Sequence, residues 1–143
     1  MKITTIVFVF IVLFIQGTAN ASLWSSHSKE FGESKTDLSL KEVERRPKSS
    51  VVQIDMKKIG ASVGSSMLIA CMIHQLADER GGYRYIVKLD ERPNNRGQML
   101  IGFMRNGDEK PKSLDPEFSE VMSVLDFNIF GEGFRKGCRA KTK

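Results

Sequence analysis

The chain has 143 residues, of which 27% are charged and 41% hydrophobic, with two cysteines and a formal net charge of +5. That length suits one small domain. The positive excess gathers at the C-terminus without interleaved aromatic residues, which argues against a nucleic-acid surface.

The first element is apolar. Lys2 precedes an unbroken hydrophobic run over residues 6–15, followed by Gln16, Gly17, Thr18 and the triplet Ala19-Asn20-Ala21. A basic start, a short apolar stretch and an A-x-A site are the parts of a secretory signal peptide, here assigned to residues 1–21 with cleavage between Ala21 and Ser22. The run is about half of the roughly 20 apolar residues a membrane span needs. No second long apolar stretch follows, so the mature chain is expected to lack a transmembrane segment. With no cysteine beside the cleavage site, lipidation there is excluded.

Residues 22–50 are sparse in apolar side chains and alternate charges of both signs. Composition of this kind predicts a flexible polar arm, with at most a helical turn over 37–46. Within it Trp24 is either an exposed, loosely docked side chain or an anchor for a partner.

The folded domain is expected over residues 51–143. "SVVQIDMKK" alternates with period two, placing Val52, Ile54 and Met56 on one side of a strand. A small-residue break, "IGASVG", leads into a helix predicted over 62–80, in which Ile69, Met72, Ile73 and Leu76 share the core face. Gly81-Gly82 supply its left-handed stop. Cys71 lies on the back of this helix with Met67, His74, Gln75 and Asp78, so that face too must be partly covered. "YRYIVKLD" and "QMLIGFM" form a hairpin across a turn-rich break, and Gly102 marks a bulge or a close backbone approach. "RNGDEKPKSL" reads as a polar, mobile loop. Asp115 and Pro116 then suggest the start of a short helix carrying Phe118, Val121, Met122 and Leu125 in one stripe. A strand competes over 124–130, and the tail is read as extended, glycine-containing and basic. The expected fold is α+β: a small, mainly antiparallel sheet covered by one long helix, with a flexible N-terminal arm.

Cys71 and Cys138 are the two cysteines of an exported chain, and one disulfide between them is the simplest use. It would close a loop of 67 residues, which chain entropy values at up to about 4 kcal/mol. The competing chemistry is a thiol enzyme in which His74, one turn from Cys71, lowers the thiol pKa. A cysteine in a bridge cannot be that nucleophile. Two cysteines and two histidines match no zinc spacing, so no metal and no cofactor are expected. "GASVG" is too short for a phosphate loop and lacks its lysine, and no nucleophile elbow occurs. The carboxylates Asp90-Glu91, Asp108-Glu109 and Glu117/Glu120 read as solvated faces. Tyr83 and Tyr85 read as sheet-packing residues ahead of an aromatic binding platform.

A helix carrying a cysteine, then "GGYRYIVKL", a second strand and a late cysteine resembles small exported bacterial proteins, over residues 62–138. The resemblance brings no activity with it. The sequence is therefore read as a non-catalytic exported protein, periplasmic or secreted, that binds an envelope protein or an anionic surface. Its candidate partner contacts are Trp24 and the tail residues Arg135, Lys136 and Arg139. The alternatives are a small secreted thiol enzyme or hydrolase using Cys71 and His74, and a secreted effector or inhibitor.

Overall fold

A computed structural model describes residues 23–138. The expected signal segment, its Ala21–Ser22 cleavage site and Arg139 lie outside these residues. Six antiparallel strands form one sheet in the order β1-β2-β3-β5-β4-β6. In chain order these are β1 (Ser25–His27), β2 (Asp37–Arg45), β3 (Ser49–Lys58), the long helix α1 (Ser62–Gly81), β4 (Tyr85–Leu89), β5 (Gln98–Met104), the short helix α2 (Pro111–Leu114), β6 (Val124–Asp126) and helix α3 (Gly131–Gly137). Single 3-10 turns follow β1 and β6. The α+β expectation holds, with α1 as the one long helix.

Period-two alternation divides the sheet cleanly. Cross-strand partners point to the same side, so Val52 with Met99, and Ile86 with Phe103, face α1. Val51 with Leu100, and Tyr85 with Met104, face the other side. On the first face α1 buries Leu68, Met72, Ile73, Leu76 and Ala77 against the strands. Its end is closed by Gly82 at φ 76°, whose N–H reaches the carbonyls of Ala77 and Asp78, as a left-handed cap requires. On the second face Leu114 and Phe118 fold back over the sheet. A Cβ at Gly102 would stand 2.7 Å from the Phe118 ring and 3.0 Å from Leu114. The close approach at Gly102 is made by side chains, the Phe118 ring above all, and not by a backbone, and the ladder shows no bulge there.

The polar arm is corrected. Residues 25–27 and 37–45 are strands of the sheet, and Leu38 and Leu40 are fully buried. Apolar content is low there, but the few apolar residues sit at alternate positions, which is all a strand buried on one face needs. The third inward position carries Glu42, a carboxylate, and this disguises the pattern. Trp24 packs in the core at 8% exposure, so it is neither a loosely docked side chain nor a free anchor.

Three further expectations change. No helix spans 116–125: Val121 is 92% exposed, and Phe118 is turned inward by a bond from its N–H to the Asp115 carbonyl. The helix forms one proline earlier, with Pro111 in its first turn, inside the stretch expected to be a mobile loop. There the Glu109 carboxylate also accepts from the backbone N–H groups of Arg105 and Asn106. Of the expected strand over 124–130, only Val124–Asp126 pairs, with β4. The following tail coils into α3 rather than running extended, and Phe130 and Phe134 stack at 4.6 Å between ring centres.

Candidate functional site

The helix face that raised the question of a reactive thiol is closed by a covalent bond. Cys71 and Cys138 form a disulfide with their Cα atoms 4.9 Å apart, within the usual range for such a bridge. It ties α3 across the outer side of α1, supplying the cover that the apolar back of the helix requires. His74, on the next turn, turns away from sulfur chemistry. Its Nδ1 lies 3.3 Å from the Asp78 carboxylate, and its ring meets Phe127 edge-on at 4.7 Å. Asp78, four residues on, is the orienting group that spacing alone did not single out.

The densest polar chemistry lies elsewhere, at the β2–β3 turn, and sequence reasoning missed it. Glu42 points into the α1 face with its side chain fully buried. Arg45 donates to it from Nε at 3.0 Å and Nη2 at 2.5 Å. Ser50 donates from Oγ at 2.5 Å and Trp24 from its backbone N–H at 3.3 Å. Burial by itself would raise the pKa of this carboxyl. The donors from Arg45, Ser50 and the Trp24 backbone outweigh burial and hold it below the ordinary glutamate value.

Arg80, in the last turn of α1, approaches the same carboxylate at 3.5 Å. Its Nη2 donates to the carbonyls of Arg46 at 2.6 Å and Pro47 at 3.2 Å, and its guanidinium lies 5.0 Å from the centre of the Phe103 ring. Burial, opposed by the Glu42 charge and reinforced by Arg45, lowers its pKa. Arg80 thus fastens the end of the helix to the turn between β2 and β3.

A second centre occupies the opposite face. The Asp115 carboxylate accepts from Ser49 Oγ at 2.6 Å, Arg46 Nη1 at 2.9 Å and the Glu117 N–H at 3.0 Å. Burial raises its pKa, but these bonds overcome that and leave it lowered. Arg46 also pairs with Glu44 and Glu117, and Arg92 donates twice to Glu117. Bonding to Glu44 and Asp115 raises the Arg46 pKa, and the Arg92 bond leads in lowering that of Glu117. Glu117, expected as a solvated carboxylate, is exposed and also links two arginines.

An open cleft of about 480 Å³ is lined by Arg45, Arg46, Pro47, Glu79, Arg80 and Tyr83. A smaller one, about 260 Å³, runs along Arg92, Pro93, Asn94, Asn95 and Glu117. The larger cleft collects three guanidinium groups, yet each has carboxylate partners from the chain itself. Glu79 pairs with Arg45 at 3.1 Å on the cleft wall. Its chemistry is that of a tie between elements. Tyr83 closes one side by packing on Phe103 at 5.5 Å, and Tyr85 lies partly buried on the second face under Arg84.

Of the expected tail contacts, Lys136 is exposed and within 3.7 Å of Glu132, while Arg135 lies on α3. Among the described residues no group of three or more His, Cys, Asp or Glu is arranged to hold a metal ion, and no helix is long and apolar enough to cross a membrane. Compared with known proteins, the chain matches no family model, no curated protein and no solved structure.

Proposed function

We propose that the chain is an exported, non-catalytic binding protein of the cell envelope, acting through its surface. The observation that supports this reading most directly is the Cys71–Cys138 bond. A disulfide persists where the compartment is oxidising, and it removes the nucleophile on which the thiol-enzyme alternative depends. His74 is occupied by Asp78 and an aromatic wall. The guanidinium groups of the main cleft are paired within the chain, which suits a scaffold. The apolar run at residues 6–15, followed by Ala19-Asn20-Ala21, gives the route of export.

Cell fractionation with thiol alkylation before any reduction tests the proposal. The expected result is protein in the periplasm or the medium, beginning at Ser22, with no alkylated cysteine and a Cys71–Cys138 linked peptide on digestion. Protein found in the cytosol with both cysteines alkylated would overturn it.

A further inference from the structure

We propose that Asn106 is a site of self-modification: the backbone nitrogen of Gly107 closes on its side-chain amide, and aspartate and isoaspartate take its place. The inference is independent of the envelope reading above, because the reaction needs only water. Of the five asparagines, Asn106 alone is followed by glycine. A side chain on the following residue crowds the ring that such an attack closes, and glycine has none. Elsewhere among the described residues Asn94 precedes Asn95, Asn95 precedes Arg96, and Asn128 precedes the β-branched Ile129.

The turn that leaves β5 presents the reacting groups. Asn106 and Gly107 are both exposed there. Asn106 Oδ1 accepts from the Asp108 N–H at 3.1 Å. Attack on Cγ puts negative charge on that oxygen, so a backbone donor already stands where charge develops. Among the described residues nothing accepts from the Gly107 N–H, and nothing holds the Asn106 Nδ2 group that must leave. The nucleophile and the leaving group are free while the carbonyl between them is polarised. At Asn94 the corresponding nucleophile is engaged, since the Asn95 N–H donates to the Arg92 carbonyl at 3.1 Å. Asn128 lies inside a 3-10 turn with its own N–H on Asp126.

Glycine is not demanded by the fold at this position. Gly107 does not take a left-handed φ, and an added Cβ would meet the Tyr85 ring at 3.5 Å, an ordinary contact. What it does supply is open access to the Asn106 amide. The Gly107 nitrogen gives its proton to hydroxide and bonds to Cγ. The Cγ–Nδ2 bond breaks, and the nitrogen takes a proton from water and leaves as ammonia. Water then opens the resulting cyclic imide at either carbonyl, giving aspartate or isoaspartate. Either product adds a carboxylate beside Asp108 and Glu109. The isoaspartyl link also lengthens the main chain where Glu109 holds the Arg105 and Asn106 N–H groups.

The experiment ages the full chain, disulfide intact, in phosphate buffer at mildly alkaline pH, beside the same chain unfolded in guanidinium chloride. Peptide mass spectrometry reads the outcome. In the native protein, peptides containing residues 106–107 should gain the mass of an amide-to-acid exchange and separate into aspartyl and isoaspartyl forms. Their rate of formation should be no less than about half that in the unfolded chain, as an exposed turn allows. Asn94, Asn95 and Asn128 should stay unchanged over the same period. Gly107→Ala should slow the reaction about tenfold with an unaltered circular dichroism spectrum, and Asn106→Gln should abolish it.

Conversion confined to the unfolded chain would show that the fold shields the site, and overturns the proposal, as does no conversion in either state. Equal rates in wild type and Gly107→Ala, or aspartate without isoaspartate, would rule out the cyclic imide and overturn it too. So would equal conversion at Asn94 or Asn95, because the selectivity would then be lost. The reaction is followed in purified protein and does not depend on localisation. A cytosolic address with intact conversion at Asn106 would therefore sink the export reading alone.

Discussion

Glu42 and Asp115 are two buried carboxylates on opposite faces of one sheet, and they are held in parallel ways. Each accepts from one of the neighbouring serines that open β3, Ser50 for Glu42 and Ser49 for Asp115. Each also takes one of the adjacent arginines at the end of β2, Arg45 or Arg46. They differ in where the carboxylate comes from. Glu42 lies in the same hairpin as its serine and its arginine, and the helix only adds Arg80. Asp115 arrives from 66 residues beyond Ser49 and is satisfied only once the chain has returned. One centre can form with the hairpin; the other records that the second face has closed.

Glu42→Gln should have the largest effect. It keeps the shape but leaves the buried Arg80 without its counter-charge, while Arg45 retains Glu79, at a cost of about 3–5 kcal/mol. A loss of unfolding free energy in urea of less than about a fifth of that would show the hairpin centre to be ornamental. Removing the disulfide with Cys71→Ser and Cys138→Ser should cost about 2–4 kcal/mol, with α3 losing amide-exchange protection before the sheet does. If the sheet opened first, the staple would be holding more than the tail.

Asp115→Asn should cost about 1.5–3 kcal/mol, the value of a hydrogen bond to a charged group, and should loosen the segment over the second face while sparing α1. Both carboxylates have pKa values lowered in the fold. Their contribution is therefore fully present above the unfolded-state values near 4 and is lost as the pH falls through the folded ones. Stability should be flat above about pH 5 on this account and decline below it. Glu42→Gln and Asp115→Asn should each flatten that decline, and an unchanged slope in both variants would remove these groups as its cause.

Val121→Ser should have the smallest effect, within about 0.5 kcal/mol, because the side chain is exposed and covers nothing. A loss of 2 kcal/mol or more would revive the amphipathic helix over 116–125.

Much of the scaffold follows from local pattern. The α1 stripe of Met72, Ile73 and Leu76, its glycine stop and the β4–β5 hairpin each depend on periodicity or on turn chemistry within a few residues. The pairing of Cys71 with Cys138 was legible because only two cysteines were available. What failed were inferences from composition. A high share of charged residues over 37–45 does not exclude a strand, which places every second residue inside and here buries a single carboxylate, Glu42, satisfied by its donors.

The charge centres themselves could not be read from spacing. Arg45 is three residues from Glu42, an ordinary separation, and nothing in the chain marks Arg80 as the third member. Arg46 meets Asp115 across 69 residues. Sequence by itself determined the periods, the turns and the available bond between two thiols, because these depend on neighbours along the chain. Tertiary structure alone decided which charges are buried, which helix signal near Pro111 and Pro116 prevails, and which apolar residues remain outside. Those outcomes depend on what packs against each side chain from distant segments, and the free energy of burying a charge or a ring is fixed only when that partner is in place.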